Sequence, residues 1–256
     1  MPFPNFINKY QELPLVQAKD FWEYKRELGI YPEVDPLVGI IFTFQTKLMN
    51  FIVENYKVKK IEHVFGEFYV LEDSKEKIGI TGNFGVGAPI AAILIEELAA
   101  FGVKNFISVG TAGALQTDLK LGSIIVCDQA IRDEGTSYHY LPDEKYSYPS
   151  QFLTDNIIKT IKKLGLDYKI GTSWTTDAPY RETKKEIVQY VGEDVLTVEM
   201  EASAVFTVAK CLNVEAAAIF TISDYISDME WKPLFFQTGK HLQTLFQIAI
   251  ETFNNI

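Results

Sequence analysis

The chain has 256 residues, 47% of them apolar and 23% charged, with a formal net charge of −10. That length suits one α/β domain with a single sizeable core. The acidic balance excludes nucleic acid or an anionic membrane surface as the main partner, because each needs a basic face to neutralise phosphates. Cys127 and Cys211 each stand in an apolar run and read as reduced core residues, with no disulfide framework implied. The start, MPFPNFINKYQELP, lacks the basic and apolar regions of a secretion signal, and no run of about 18 apolar residues follows. A cytoplasmic protein with a small-molecule ligand is expected.

In chain order, VQAKDFWEYKRELG reads as a helix within an N-terminal helical extension over 1–36, ahead of the main domain over 37–256. Short apolar runs over 37–42, 67–71, 77–81, 105–109, 123–130, 168–173 and 216–222 read as strands. Amphipathic stretches over 88–101, 150–164, 201–212 and 233–253 read as helices, the first marked by Pro89 in its opening turn and Gly102 past its end. This alternation implies an α/β fold: a single domain with a central mixed sheet flanked by helices, in three αβα layers.

In open α/β sheets a ligand lies beyond the carboxyl ends of the strands, so the segments that follow the strands carry the chemistry. TGNFGVGAP, Thr81 to Pro89, is a glycine-rich turn leading into a helix, suited either to anion binding by backbone N–H groups or to a plain tight turn. ISVGTAGALQ places Thr111 and two glycines in a second small-residue loop after a strand. AIRDEGTSYHYLP holds Arg132 and His139, read either as an ion-paired surface loop or as site residues. TSWTTDAPYRET combines Trp174, Asp177 and Arg181, a set that suits a flat heterocycle and also fits the start of a helix at 181–190.

VLTVEMEASAV sets Glu199 and Glu201 on either side of Met200 at a strand-to-helix passage, where the bland reading is acidic residues in a helix's first turn. Residues two apart share no helix face, so a bend at Met200 is expected. IFTISD ends an apolar strand in Ser223 and Asp224, where a carboxylate is costly to bury unless it is paired, protonated or facing a ligand.

Taken in this order, VEMEASAV, ISD, VGTAGAL and NFGVG resemble the nucleoside phosphorylase family type I, which holds purine nucleoside and uridine phosphorylases and related nucleosidases. The resemblance runs from roughly Val38 to Phe253. It implies a pentosyltransferase that cleaves an N-glycosidic bond through an oxocarbenium-like sugar. It also implies Glu201 and Met200 on the ribose and Asp224 as the acid at the leaving base. The residues themselves offer Glu199, alternatively a structural residue, and His139 beside the ribose, and Trp174, Asp177, Arg181 and Ser223 around the base. Gly85 and Thr111 would hold phosphate, a co-substrate, with no cofactor and no metal.

Two departures stand out. Ser108 occupies the position of an arginine expected before Val-Gly, and IIFTFQTK replaces a Gly-Asp-Pro loop that carries another. Lys47 and Arg132 are the candidate substitutes. Asp224 favours a purine, whereas AIRDEGTSYHYLP is closer to the uridine branch. A phosphorylase acting on a purine ribonucleoside leads, followed by a hydrolytic nucleosidase, a uridine phosphorylase, and a nucleoside-binding protein with a degenerate phosphate site. The resemblance also implies a homo-oligomer (dimer, trimer or hexamer), for which exposed-looking Trp231, Phe235 and Phe236 offer a contact.

Overall fold

The computed structural model describes residues 4–74, 77–226 and 230–256; the first three residues of the expected N-terminal extension lie outside that set. The chain runs α1 (Ala18–Glu27), β1 (Gly39–Phe42), α2 (Thr46–Asn55), β2 (Val58–Ile61), β3 (Glu67–Leu71), β4 (Ile78–Gly82) and α3 (Ala88–Ala100). It continues through β5 (Asn105–Ala114), β6 (Ile124–Asp133), β7 (Tyr146–Ser147), α4 (Gln151–Lys163), β8 (Lys169–Thr176) and α5 (Lys184–Gly192). Last come β9 (Thr197–Glu199), α6 (Ala202–Leu212), β10 (Glu215–Tyr225), β11 (Lys232–Pro233) and α7 (Gly239–Phe253).

β5 is the hub of the sheet. It pairs in parallel with β1 on one side and with β10 on the other. Beyond β1 the sheet continues through β4, β3 and β2; beyond β10 it passes through β6, β8 and β9. β9 then returns antiparallel to β5, with Gly113 opposite Val198 and Ala114 opposite Thr197. Half of the mixed sheet is thereby curled into a closed ring, which leaves these five strands no open edge.

The helices cover both faces, giving the expected three layers. On one face α3 and α6 pack Ala91, Leu94, Leu98, Val205 and Val208 against Phe106. On the other, α2, α4 and α7 set Leu48, Ile52, Ile157 and Phe246 against Ile41 and Ile107. Each fully buried side chain of this kind contributes roughly 1.5–3 kcal/mol. Strands covered on both faces read as unbroken apolar runs, as GIIF in β1 does.

Several expected boundaries move. VGTAGA is the second half of β5 rather than a loop, because β10 supplies ladder partners as far as Ala114 despite the two glycines. β8 and β10 likewise extend to Thr176 and Tyr225. The last helix begins at Gly239, not 233, because Lys232 and Pro233 pair with Tyr225 and Asp224 at the sheet edge. The helix expected from 181 starts at Lys184, where the Thr183 hydroxyl and the Glu186 carboxylate cap each other's backbone. Cys127 is buried as expected, but Cys211 is exposed, on the outward side of α6, with its thiol donating to the Tyr140 carbonyl at 3.3 Å.

Candidate active site

The bend expected at Met200 is present, and it gives the two glutamates different tasks. β9 ends at Glu199, Met200 and Glu201 turn, and α6 begins at Ala202. Glu199 Oε2 accepts the backbone N–H groups of Glu201 at 2.8 Å and Ala202 at 2.7 Å, while Oε1 accepts the Thr175 hydroxyl at 2.6 Å. Both oxygens are committed to holding the head of α6 on β8, which favours the structural reading of Glu199 over the ribose one. Burial nonetheless pushes its carboxyl up from the usual range.

Glu201 points the other way. Its Oε1 accepts the Gly87 N–H at 2.6 Å, at the first turn of α3. Burial, and then the neighbouring Glu199 charge, push its carboxyl up to about 8; Asp177 adds a further repulsion. A strongly raised carboxyl in a buried turn marks Glu201 as a candidate for a functional role. Met200, partly buried, lies at the turn between the two glutamates.

Asp224 reaches the same region through Gly113. It lies within β10, opposite Gly113 on one side and Pro233 on the other. The ladder slips between Ile222 and Asp224, and such a bulge re-aims the side chains beside it. A Cβ at Gly113 would stand 3.1 Å from Val198 and 3.2 Å from Asp224 Oδ2, so the glycine is what lets β9, β5 and the carboxylate come together. The Ser223 hydroxyl donates to Asp224 Oδ1 at 2.7 Å, and the Trp231 indole N–H donates to Oδ2 at 2.9 Å. Glu182, absent from the sequence reading, is close enough to feel Asp224: burial and then that charge push its carboxyl up to about 7. Its only signal in the sequence was membership of TSWTTDAPYRET.

The glycine-rich turn and Thr111 form the third part. Gly85 has φ +97° with open space where a Cβ would stand, and Gly87 has φ +104° ahead of α3. The Thr111 hydroxyl accepts from Gln45 Nε2 at 3.1 Å, which makes Gln45 a further member of this corner. Two residues on, exposed Lys47 rests its ammonium 4.6 Å from the centre of the Phe236 ring. Ser108 is buried in β5, paired with Phe42 and Ala218.

Arg132 does not serve as the substitute cation. Its guanidinium donates to the Ser137 hydroxyl at 2.9 Å and to the Pro142 and Leu141 carbonyls at 2.6 and 3.3 Å, and it stacks on Tyr138 at 4.5 Å. It shapes its own loop from a buried position. Trp174 is also corrected: only 1% exposed, it donates to Asp133 at 2.8 Å and packs on Tyr190, so it presents no face to a base. Its strand, β8, lies inside the ring between β6 and β9.

Asp177 is exposed and accepts the Gly135 N–H at 2.8 Å, tying two loops together at the rim. Arg181 is exposed on a short turn over Pro179–Arg181. His139 has Nδ1 2.8 Å from Lys9 Nζ, and burial and the Lys9 charge hold its ring below the usual range, in its neutral form near pH 7. Among the described residues no cluster of three metal-ligating side chains occurs.

The mixed sheet, half closed into a ring, thus brings a buried glutamate at a helix head and an aspartate beside a glycine to the ends of neighbouring strands of one α/β domain. The sequence matches the phosphorylase superfamily model over residues 38–252, and the chain belongs to that family. It is 33% identical over 138 residues to a guanosine phosphorylase from Halorubrum lacusprofundi, a match spanning 54% of this chain and 57% of that protein's length. It is also 33% identical over 179 residues to a DeoD-type purine nucleoside phosphorylase from Bacillus cereus, covering 69% of this chain and 73% of the relative. Among solved structures, the uridine phosphorylase from Vibrio fischeri ES114 superposes with a TM-score of 0.72 at 27% identity, over 85% of this chain and 90% of that one.

Proposed function

We propose that the chain is a nucleoside phosphorylase, a pentosyltransferase that converts a ribonucleoside and inorganic phosphate to ribose 1-phosphate and free base. A purine is the preferred base; the setting is cytoplasmic nucleoside salvage, with no cofactor, in a homo-oligomer. The observation that carries this reading is the convergence of β9, β5 and β10 at Gly113, which sets Asp224 beside Val198, on the strand that leads into the turn bearing buried Glu201 at the head of α3. As the bond from C1′ to the base nitrogen breaks, its electron pair leaves with the base and positive charge grows on the sugar. Glu201 in its ionised form offsets that charge and grips the ribose, with Met200 against the ring. Asp224 gives a proton to the base, a ring nitrogen of a purine being the acceptor, and recovers it from solvent. A phosphate oxygen then forms the new bond to C1′. Gly85 and Thr111 supply polar contacts to that phosphate, Lys47 the point charge, while Ser223 orients Asp224 and Asp177 and Arg181 border the base from the rim.

One observation favours a second reading, hydrolysis: Ser108 is buried where a cation was expected, and Arg132 is occupied elsewhere. Measuring base release from purine and pyrimidine nucleosides with and without phosphate separates the two. Phosphate-dependent release with ribose 1-phosphate as product supports the first reading, and equal release without phosphate supports the second.

A further inference from the structure

A ring over the face of a flat base bound against Asp224 would stabilise it, and Trp174 is sealed in the core. The indole that touches Asp224 is Trp231, whose N–H lies 2.9 Å from Oδ2. Its side chain is 62% exposed, with Phe235 tilted against it at a ring separation of 6.3 Å. β11 carries Trp231 there, since Pro233 pairs with Asp224 itself and the Leu234 N–H donates to the Ser223 carbonyl at 2.8 Å. The backbone on either side of the carboxylate is thus stapled to the segment that bears the indole.

Together with Ser223 on Oδ1, the indole N–H fixes the plane of the carboxyl group. A base hydrogen-bonded to that carboxyl group lies within one ring width of the indole. We propose that Trp231 is the base-side partner of Asp224: its N–H positions Oδ2, and its open face is the platform on which a purine-sized heterocycle stacks. This rests on the phosphorylase reading. Indole suits both tasks, joining a large π-face to a single donor.

The chain's three tryptophans make the test direct. Trp22 and Trp174 are 2% and 1% exposed, so Trp231 alone among them is open to an aqueous quencher. The full-length protein is titrated with inosine without phosphate while acrylamide quenching of tryptophan emission is followed; nucleoside affinity is read independently by calorimetry. Steady-state kinetics with phosphate are then compared for the wild type, Trp231→Phe and Trp231→Ala.

Inosine is expected to abolish the accessible emission component of the wild type. Trp231→Phe, which keeps a ring but loses the donor, is expected to lower kcat about 10–100-fold with KM within about threefold, the scale of leaving one buried polar group without its hydrogen-bond partner. Trp231→Ala is expected to raise KM by a further ~5–100-fold, the scale of one base-stacking contact. A merely structural tryptophan would not divide kcat from KM in this way. Inosine binding and turnover with unchanged quenching, or with Trp231→Ala kinetics within twofold of wild type, overturn the Trp231 assignment and leave the phosphorylase reading standing. Protection that follows protein concentration and not inosine also overturns it, marking the ring as a subunit contact. Absence of binding and of turnover with inosine, guanosine and adenosine alike in the wild type overturns both.

Discussion

Glu201 is the residue on which charge and geometry meet. Its carboxyl titrates at about 8, above the ordinary 4.5, so the native chain holds a proton there that the unfolded chain releases. The stability from this group is fully present below the unfolded value and is lost as pH rises through about 8; Glu182 behaves alike up to about 7. The midpoint of urea unfolding is therefore expected to fall as pH rises across that window, and Glu201→Gln is expected to flatten the fall. An unchanged slope in the variant would show the titration to lie elsewhere. Catalysis has the opposite sign, because the ionised form offsets the sugar's positive charge: kcat/KM is expected to rise with pH towards about 8, a limb absent from Glu201→Gln. Glu201→Ala should cost roughly 2–4 kcal/mol of transition-state stabilisation, read from kcat/KM, the range for losing one preorganised polar group. Lys47→Ala should raise KM for phosphate about tenfold or more while nucleoside KM holds, as loss of one charge-assisted contact implies.

At the scale of elements, the convergence of β9, β5 and β10 sets the site, and Gly113 is its narrowest point. Gly113→Ala places a methyl 3.2 Å from Asp224 Oδ2 and 3.1 Å from Val198, so the carboxyl group must shift by a few tenths of an ångström. Overpacking of that kind costs about 1–3 kcal/mol of stability. The same shift should lower kcat/KM about tenfold or more, since catalysis is more sensitive than folding to small misplacements. Equal activity alongside a lowered Tm would remove Gly113 from the site.

This convergence also marks what could be read from the sequence. Asp224 was legible because a carboxylate closing an apolar strand is costly, and Glu201 because two acids flanked a turn. The glycines make VGTAGA look like a loop; only the β10 ladder makes it strand, and a pairing partner is not visible locally. Trp174 and Arg132 look exposed in the sequence for a related reason. Polar-looking surroundings concealed that β8 and the end of β6 lie side by side in the closed ring, where an indole and a guanidinium find buried partners. Trp231 was visible only as an exposed aromatic, since its bond to Asp224 depends on the β11 pairing.

At the scale of the whole molecule, the segment ahead of the family match is part of the packed structure. Trp22 of α1 donates to the Glu97 carbonyl at 2.7 Å and packs between Tyr31 and Phe101, while Lys25 donates to the His63 carbonyl at 2.5 Å. Trp22→Ala should destabilise by about 3–5 kcal/mol, the usual cost of emptying a large buried ring, measured by urea unfolding. α1 braces α3, and the other end of α3 meets Glu201, so the brace and the site share one helix. No helix among the described residues is long and apolar enough to cross a membrane.

On the phosphorylase reading, this scaffold joins phosphate to a sugar despite Ser108 in place of a cation. The most direct measurement follows base release from inosine, guanosine, adenosine and uridine with phosphate present and with it removed, identifying the sugar product. Release that requires phosphate and yields ribose 1-phosphate, fastest with a purine nucleoside, is the predicted result. Release that proceeds equally without phosphate, yielding free ribose, would contradict it.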